Sequence, residues 1–143
     1  TNTLNRLLEL GAVPVINEND TVATDEIVIG DNDTLAAMVA ESVEANLLVL
    51  LSDIDGLYTA DPHADPTAKL LPVVHRVDDG IRALAGVSST DQGTGGMVTK
   101  LRAAEICLNC GCEMVIANGR EPRLLYDIVE GKPVGTRFVG ESV

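Results

Sequence analysis

Apolar and polar positions along the chain alternate between a helical and a strand period. Residues 3–10 carry Leu4, Leu7 and Leu8 at helical spacing behind the cap-like Thr1-Asn2-Thr3, and Gly11 stands where such a helix ends. Residues 12–16 form a short apolar run, which predicts a buried strand leading into Asn17-Glu18-Asn19-Asp20. Residues 21–30 alternate weakly and read as a hairpin arm or a mobile loop. After Gly30-Asp31-Asn32-Asp33-Thr34, helical spacing returns at Leu35, Met38, Val39 and Ser42. Residues 47–51 are continuously apolar, the mark of a strand buried on both faces, and end in Ser52-Asp53.

The second half repeats this alternation. Residues 54–72 hold Asp61-Pro62 and Asp65-Pro66 and read as a loop with turns. The pattern predicts a strand over 72–77, a short helix over 78–85 and a flexible loop over 86–96. A helix carrying Lys100 in its first turn follows, running to about Asn109 with Gly111 behind it. A strand over 113–117, a helix over 123–129 and a last strand over 134–139 complete the series. Alternating strands and helices predict an α/β protein with a mostly parallel open sheet and helices on both faces, in three layers.

Composition narrows the class. The chain has 143 residues, one domain's worth, with 45% apolar but only 2% aromatic residues, so Leu, Val, Ile and Ala must build the core. A net charge of −12 disfavours nucleic acid and anionic lipid as partners. No apolar run is long enough to span a bilayer, and no signal peptide opens the chain. It also lacks an initiator Met and starts in front of a helix, so the expectation is a fragment. Cys107, Cys110 and Cys112 are odd in number and close together. They read as small apolar residues on a helix end and the next strand, in a reducing cytoplasm, and no metal site is expected.

In open α/β sheets a ligand sits beyond the carboxyl ends of the strands. That rule selects the polar stretches Asn17 to Asp20, Ser52-Asp53 and Asn118-Gly119, which should share one edge. Gly93-Thr94-Gly95-Gly96-Met97-Val98-Thr99-Lys100 is no Walker A loop, because no glycine directly precedes the lysine. Glycines let backbone N–H groups approach an anion, a helix start adds donors, and a lysine there would neutralise the same anion. A flexible loop with a solvated lysine reads equally well. Asp31, Asn32 or Asp33 can cap the following helix, yet one cap does not need all three. With Asn17, Asn19 and Asp20 they make six amide or carboxylate residues near one sheet edge, able to order lysines or receive an acidic substrate.

Taken in order, "VPVINEND", "GDNDTLAAMVA", "LLVLLSDIDGLYTADP" and "GTGGMVTKLRAA" closely resemble the bacterial glutamate 5-kinases, a branch of the amino acid kinase family. "DGLYTADP" alone indicates only the wider family; "INEND" and "GDND" with the glycine-rich stretch indicate the glutamate branch. The resemblance covers the chain to about residue 140. It implies the amino acid kinase fold, incomplete here, as a single domain: a glutamate-site segment at about 12–35 and a nucleotide-binding segment at about 47–140. It implies transfer of the ATP γ-phosphoryl group to the side-chain carboxylate of L-glutamate, the first step of proline synthesis, with Mg2+ on the phosphates.

Residue by residue, the resemblance assigns glutamate binding to Asp20, Asn32 and Asn17. Nucleotide binding falls to Ser52, Asp53, Thr94, Gly95, Gly96, Met97, Val98, Thr99 and Lys100. Lys100 would stabilise the transferred group and Asp33 would hold the catalytic lysines. The family's first strand, its first glycine-rich loop, a further catalytic lysine and a substrate-binding serine have no counterpart, so the fragment alone is expected to be inactive without that N-terminal segment. Family members are commonly dimers or tetramers, and often continue into a small RNA-binding-like domain. Two other readings stay open: a nucleotide- or amino-acid-binding module without catalysis, and another family member such as an acetylglutamate or carbamate kinase.

Overall fold

The computed structural model describes residues 2–17, 32–87 and 94–141. Helix α1 (Asn2–Glu9) comes first, followed by α2 (Asn32–Ser42), β1 (Leu47–Ser52), β2 (Val73–Val74), α3 (Asp79–Val87) and α4 (Thr94–Cys110). The chain then forms β3 (Glu113–Asn118), α5 (Leu124–Val129) and β4 (Thr136–Phe138). Helix α1 ends as its sequence predicts. Gly11 takes φ +77°, and the N–H groups of Gly11 and Ala12 donate to Leu8 and Leu7 oxygens at 3.0 and 2.9 Å.

The described strands form one four-stranded sheet in the order β1-β3-β4-β2. Strands β1 and β3 run parallel, from Leu47 opposite Glu113 to Ser52 opposite Asn118. Strands β2 and β4 are also parallel, and β3 meets β4 antiparallel. The sheet is thus mostly parallel, as expected. Strand β3 alternates its side chains between two cores. Met114 and Ile116 join Ala37, Ala40, Leu101, Ala104 and Cys107 beneath α2 and α4. Val115 and Ala117 pack with Ile128 of α5 on the opposite face. Helices therefore cover both faces, and the three layers follow from this one strand's alternation.

The far end of the sheet is pinned by a buried threonine. Thr136 Oγ1 accepts from the Leu57 N–H at 2.9 Å and donates to the Leu71 oxygen at 2.6 Å. It thereby ties both ends of the 57–71 excursion, itself closed by a Tyr58–Leu70 bridge, to β4. Its neighbour Gly135 has φ +61°, and a Cβ there would sit 1.9 Å from the Ile116 oxygen. No other residue fits.

The structure corrects the sequence reading in four places. Residues 12–16 form no strand: Val13 and Val15 are 87% and 95% exposed. An apolar run becomes a strand only when a neighbour takes its backbone hydrogen bonds, and among the described residues none does. The strand expected over 72–77 shrinks to Val73–Val74. Helix α4 begins at Thr94, so Gly95 and Gly96 lie within it and Lys100 is its seventh residue, not part of its first turn. Cys107 and Cys112 are buried, but Cys110 is exposed.

Candidate active site

Two helix–strand units, α2–β1 and α4–β3, build the site. Each helix leads back into its strand, and the strands are parallel. The starts of both helices therefore lie at the edge where both strands end. That edge collects Asn32 and Asp33 from α2, Ser52 and Asp53 from the end of β1, residues 94–100 from α4, and Asn118-Gly119 from the end of β3.

The geometry centres on one carboxylate. Lys100 Nζ lies 3.1 Å from Asp33 Oδ2, and the two side chains are only 12% and 20% exposed. Thr99 Oγ1 donates to the same Oδ2 at 2.8 Å. Both α4 residues also reach the Gly96 oxygen, at 2.9 Å from Thr99 and 3.5 Å from Lys100. A shielded ion pair with a second donor is a stronger arrangement than the solvated pairs elsewhere, such as Lys132 with Asp127. Met97 turns into the core while Val98 is exposed, so α4 is anchored two residues before it presents its polar pair.

A second polar set lies at the ends of β1 and β3. Ser52 Oγ donates to Asp53 Oδ1 at 3.2 Å, and the Gly119 N–H donates to the Ser52 oxygen at 2.8 Å. A Cβ on Gly119 would come within 3.1 Å of Leu51 Cβ, so the two strand ends approach closely there. Asp55 accepts from Asn118 Nδ2 and from Tyr58 Oη, both at 3.1 Å. Partial burial pushes the Tyr58 phenol up, and the hydrogen bond and charge of Asp55 add to that. The sequence reading named Asn118 as edge-facing but missed Asp55 and Tyr58. Their signal was a carboxylate and a phenol three residues apart, soon after an apolar run.

Of the residues expected at the site, Asp33, Thr99 and Lys100 meet directly, and Ser52 and Asp53 stand at the same edge. Asn17 and Asn32 line one end of an apolar cavity of about 490 Å³ between residues 14–17, α2 and the start of β1. Asp20 lies outside the described residues, as does the side chain of Thr94. Among the described residues, no group of three or more His, Cys, Asp or Glu side chains could hold a metal ion. The ammonium, hydroxyls and helix-start amides at the edge suit a phosphate, and the Asp33, Asp53 and Asp55 carboxylates stand beside them.

Comparison with known proteins bears on this edge. The model of the amino acid kinase family matches residues 1–118. The glutamate 5-kinase of Thermoanaerobacter sp. (strain X514) is 53% identical over 137 residues, covering 96% of this chain and 37% of that protein. The glutamate 5-kinase of Paramagnetospirillum magneticum is 59% identical over 130 residues, covering 91% of this chain and 35% of that protein. The chain thus spans little more than a third of the length of these relatives. Among solved structures, UMP kinase from Bacillus anthracis superposes with a TM-score of 0.69 at 17% identity, over 99% of this chain and 51% of that one. Carbamate kinase from Giardia lamblia bound to AMP-PNP gives 0.66 at 22% identity, over 98% and 49%. These two likenesses concern the fold.

Proposed function

The chain belongs to the amino acid kinase family, and from that premise we propose that it forms part of an ATP-dependent kinase acting on the side-chain carboxylate of L-glutamate. The observation that carries this reading is the shielded Lys100–Asp33 pair at the edge where two helix starts and two strand ends converge. The identity of 53% or more to glutamate 5-kinases supports glutamate as the acceptor. The relatives' remaining length lies outside the match, so the proposed turnover belongs to the whole protein, and this chain contributes its nucleotide edge and part of its acceptor site.

Phosphoryl transfer asks the protein for in-line positioning and for positive charge on the transferred group. Lys100 supplies that charge, with Asp33 setting the ammonium's direction. Amides at the start of α4, with Ser52 and Asp53, hold the nucleotide. Asn17, Asn32 and Asp20 bind the amino acid. Its carboxylate is ionised at neutral pH and attacks phosphorus directly, with ADP as leaving group, so no general base is required. Magnesium would arrive with the nucleotide and would supply positive charge that neutralises part of the phosphate charge.

The test is glutamate-dependent ADP formation by the whole protein. Lys100→Ala should lower kcat by about 10²-fold or more. In the isolated chain, calorimetry with a non-hydrolysable ATP analogue and Mg2+ should detect binding that Lys100→Ala weakens. Unaltered affinity in that variant refutes the phosphate role of the α4 start. A panel of N-acetylglutamate, carbamate and glutamate fixes the acceptor, and turnover with either of the first two but not glutamate sinks the proposed substrate.

A further inference from the structure

We infer that Thr99 is a positioning residue whose hydroxyl holds the Asp33 carboxylate, and through it the Lys100 ammonium, rather than reaching a ligand itself. The inference rests on the reading above, in which Lys100 meets the transferred phosphoryl group. Thr99 and Lys100 are consecutive on α4, yet they share the same two acceptors. Thr99 Oγ1 lies 2.8 Å from Asp33 Oδ2 and 2.9 Å from the Gly96 oxygen. Lys100 Nζ lies 3.1 Å from that Oδ2 and 3.5 Å from that carbonyl.

A hydroxyl has one proton to give. A carboxylate oxygen accepts more strongly than a carbonyl, and the Asp33 contact is the shorter of the two. The proton therefore goes across to α2. The Gly96 oxygen, three residues back, is the partner a helical threonine ordinarily finds on its own helix. Its nearness marks the rotamer that also aims Oγ1 at Asp33.

The consequence appears when Lys100 turns toward an incoming phosphate. Asp33, only 20% exposed while paired, then loses much of its charge-assisted bonding. The Thr99 hydroxyl keeps Oδ2 fixed during that excursion. Without it the carboxylate rotates about its terminal torsion, which is a soft one, and the lysine swings from a moving anchor. The expected signature is slower turnover at nearly unchanged nucleotide affinity.

Thr99→Val keeps the shape and removes the proton, Thr99→Ser keeps the proton, and Asp33→Ala removes the acceptor. The first readout needs no turnover. The ¹⁵N signal of a lysine ammonium is sharp when acceptors hold its protons against exchange with water. The Lys100 signal, assigned by its loss in Lys100→Arg, should be present in the native chain and in Thr99→Ser. It should broaden away in Thr99→Val and Asp33→Ala. The second readout uses the whole protein. Thr99→Val should lower kcat by about 10- to 100-fold, with nucleotide KM within about twofold. Thr99→Ser should restore most of the rate, and Thr99→Val should slow Asp33→Ala no further. A sharp Lys100 signal in Thr99→Val, a raised KM at native kcat, or additive losses with Asp33→Ala would each overturn the inference. If the ammonium signal follows the expected pattern but no variant nor the native protein turns glutamate over, the proposed reaction fails and the positioning of Lys100 stands.

Discussion

Two apolar runs of similar make-up meet opposite fates in this molecule. Met114, Val115, Ile116 and Ala117 in β3 are fully buried, with β1 on one side, β4 on the other and helices on both faces. Val13 and Val15, in an equally apolar run, stand almost wholly exposed with no strand beside them among the described residues. Hydrophobicity alone did not decide the outcome. Covered neighbours did, because a strand needs its backbone paired before its side chains gain from burial.

This contrast can be sharpened by substitution. The largest effect should come from Gly135→Ala, whose Cβ would meet the Ile116 oxygen at 1.9 Å. We expect a loss of about 4 kcal/mol or more in denaturant unfolding, or no folded protein. Gly131→Ala has a similar positive φ but nothing within 4 Å, and should lose only about 1 kcal/mol. Next, Ile116→Ala should lose about 2–5 kcal/mol, whereas Val15→Ala should stay within about 0.5 kcal/mol. Equal losses at the two positions would erase the distinction. Thr136→Val strips the partners from the Leu57 N–H and Leu71 oxygen, and should lose about 1–3 kcal/mol.

A smaller, pH-dependent effect probes the same core. Burial pushes the Cys107 thiol up to about 12, with the neighbouring thiols and Glu41 adding to it. Between the ordinary thiol range and that value, the unfolded chain has lost a proton that the folded chain keeps. The stabilising contribution is thus complete below about pH 8.5 and fades as pH rises toward 12. Cys107→Ala should flatten that part of the stability profile relative to the native chain. An unchanged slope would mean that the thiol does not feel the core.

What was legible follows the same division. Strands β1 and β3 announce themselves as unbroken apolar runs, but only β3 is covered on both faces; β1, at the edge of the described sheet, is mostly half-buried and leaves Leu51 exposed. The start of α4 was hidden because Gly95 and Gly96 argue locally for a loop, while the buried Met97 and the cross-helix bonds of Thr99 and Lys100 hold them helical. The meeting of Asp33 with Lys100 was anticipated through the family resemblance. The part played by Thr99 was not, since helical periodicity gives a residue's face but not its partner on another helix. Asp55 and Tyr58 were lost in a stretch that the Asp-Pro pairs marked as turns.

Helices α2 and α4 lie side by side and point the same way, with Asp33 and Lys100 meeting near their starts and Glu41, Glu44, Cys110 and Gly111 sharing a pocket at their ends. Aligned dipoles placed abreast repel each other, and the repulsion is strongest where their positive poles come together. An anion seated there would relieve both helices at once. Phosphate-bearing compounds should therefore raise the melting temperature of this protein, and added salt should progressively take that gain away.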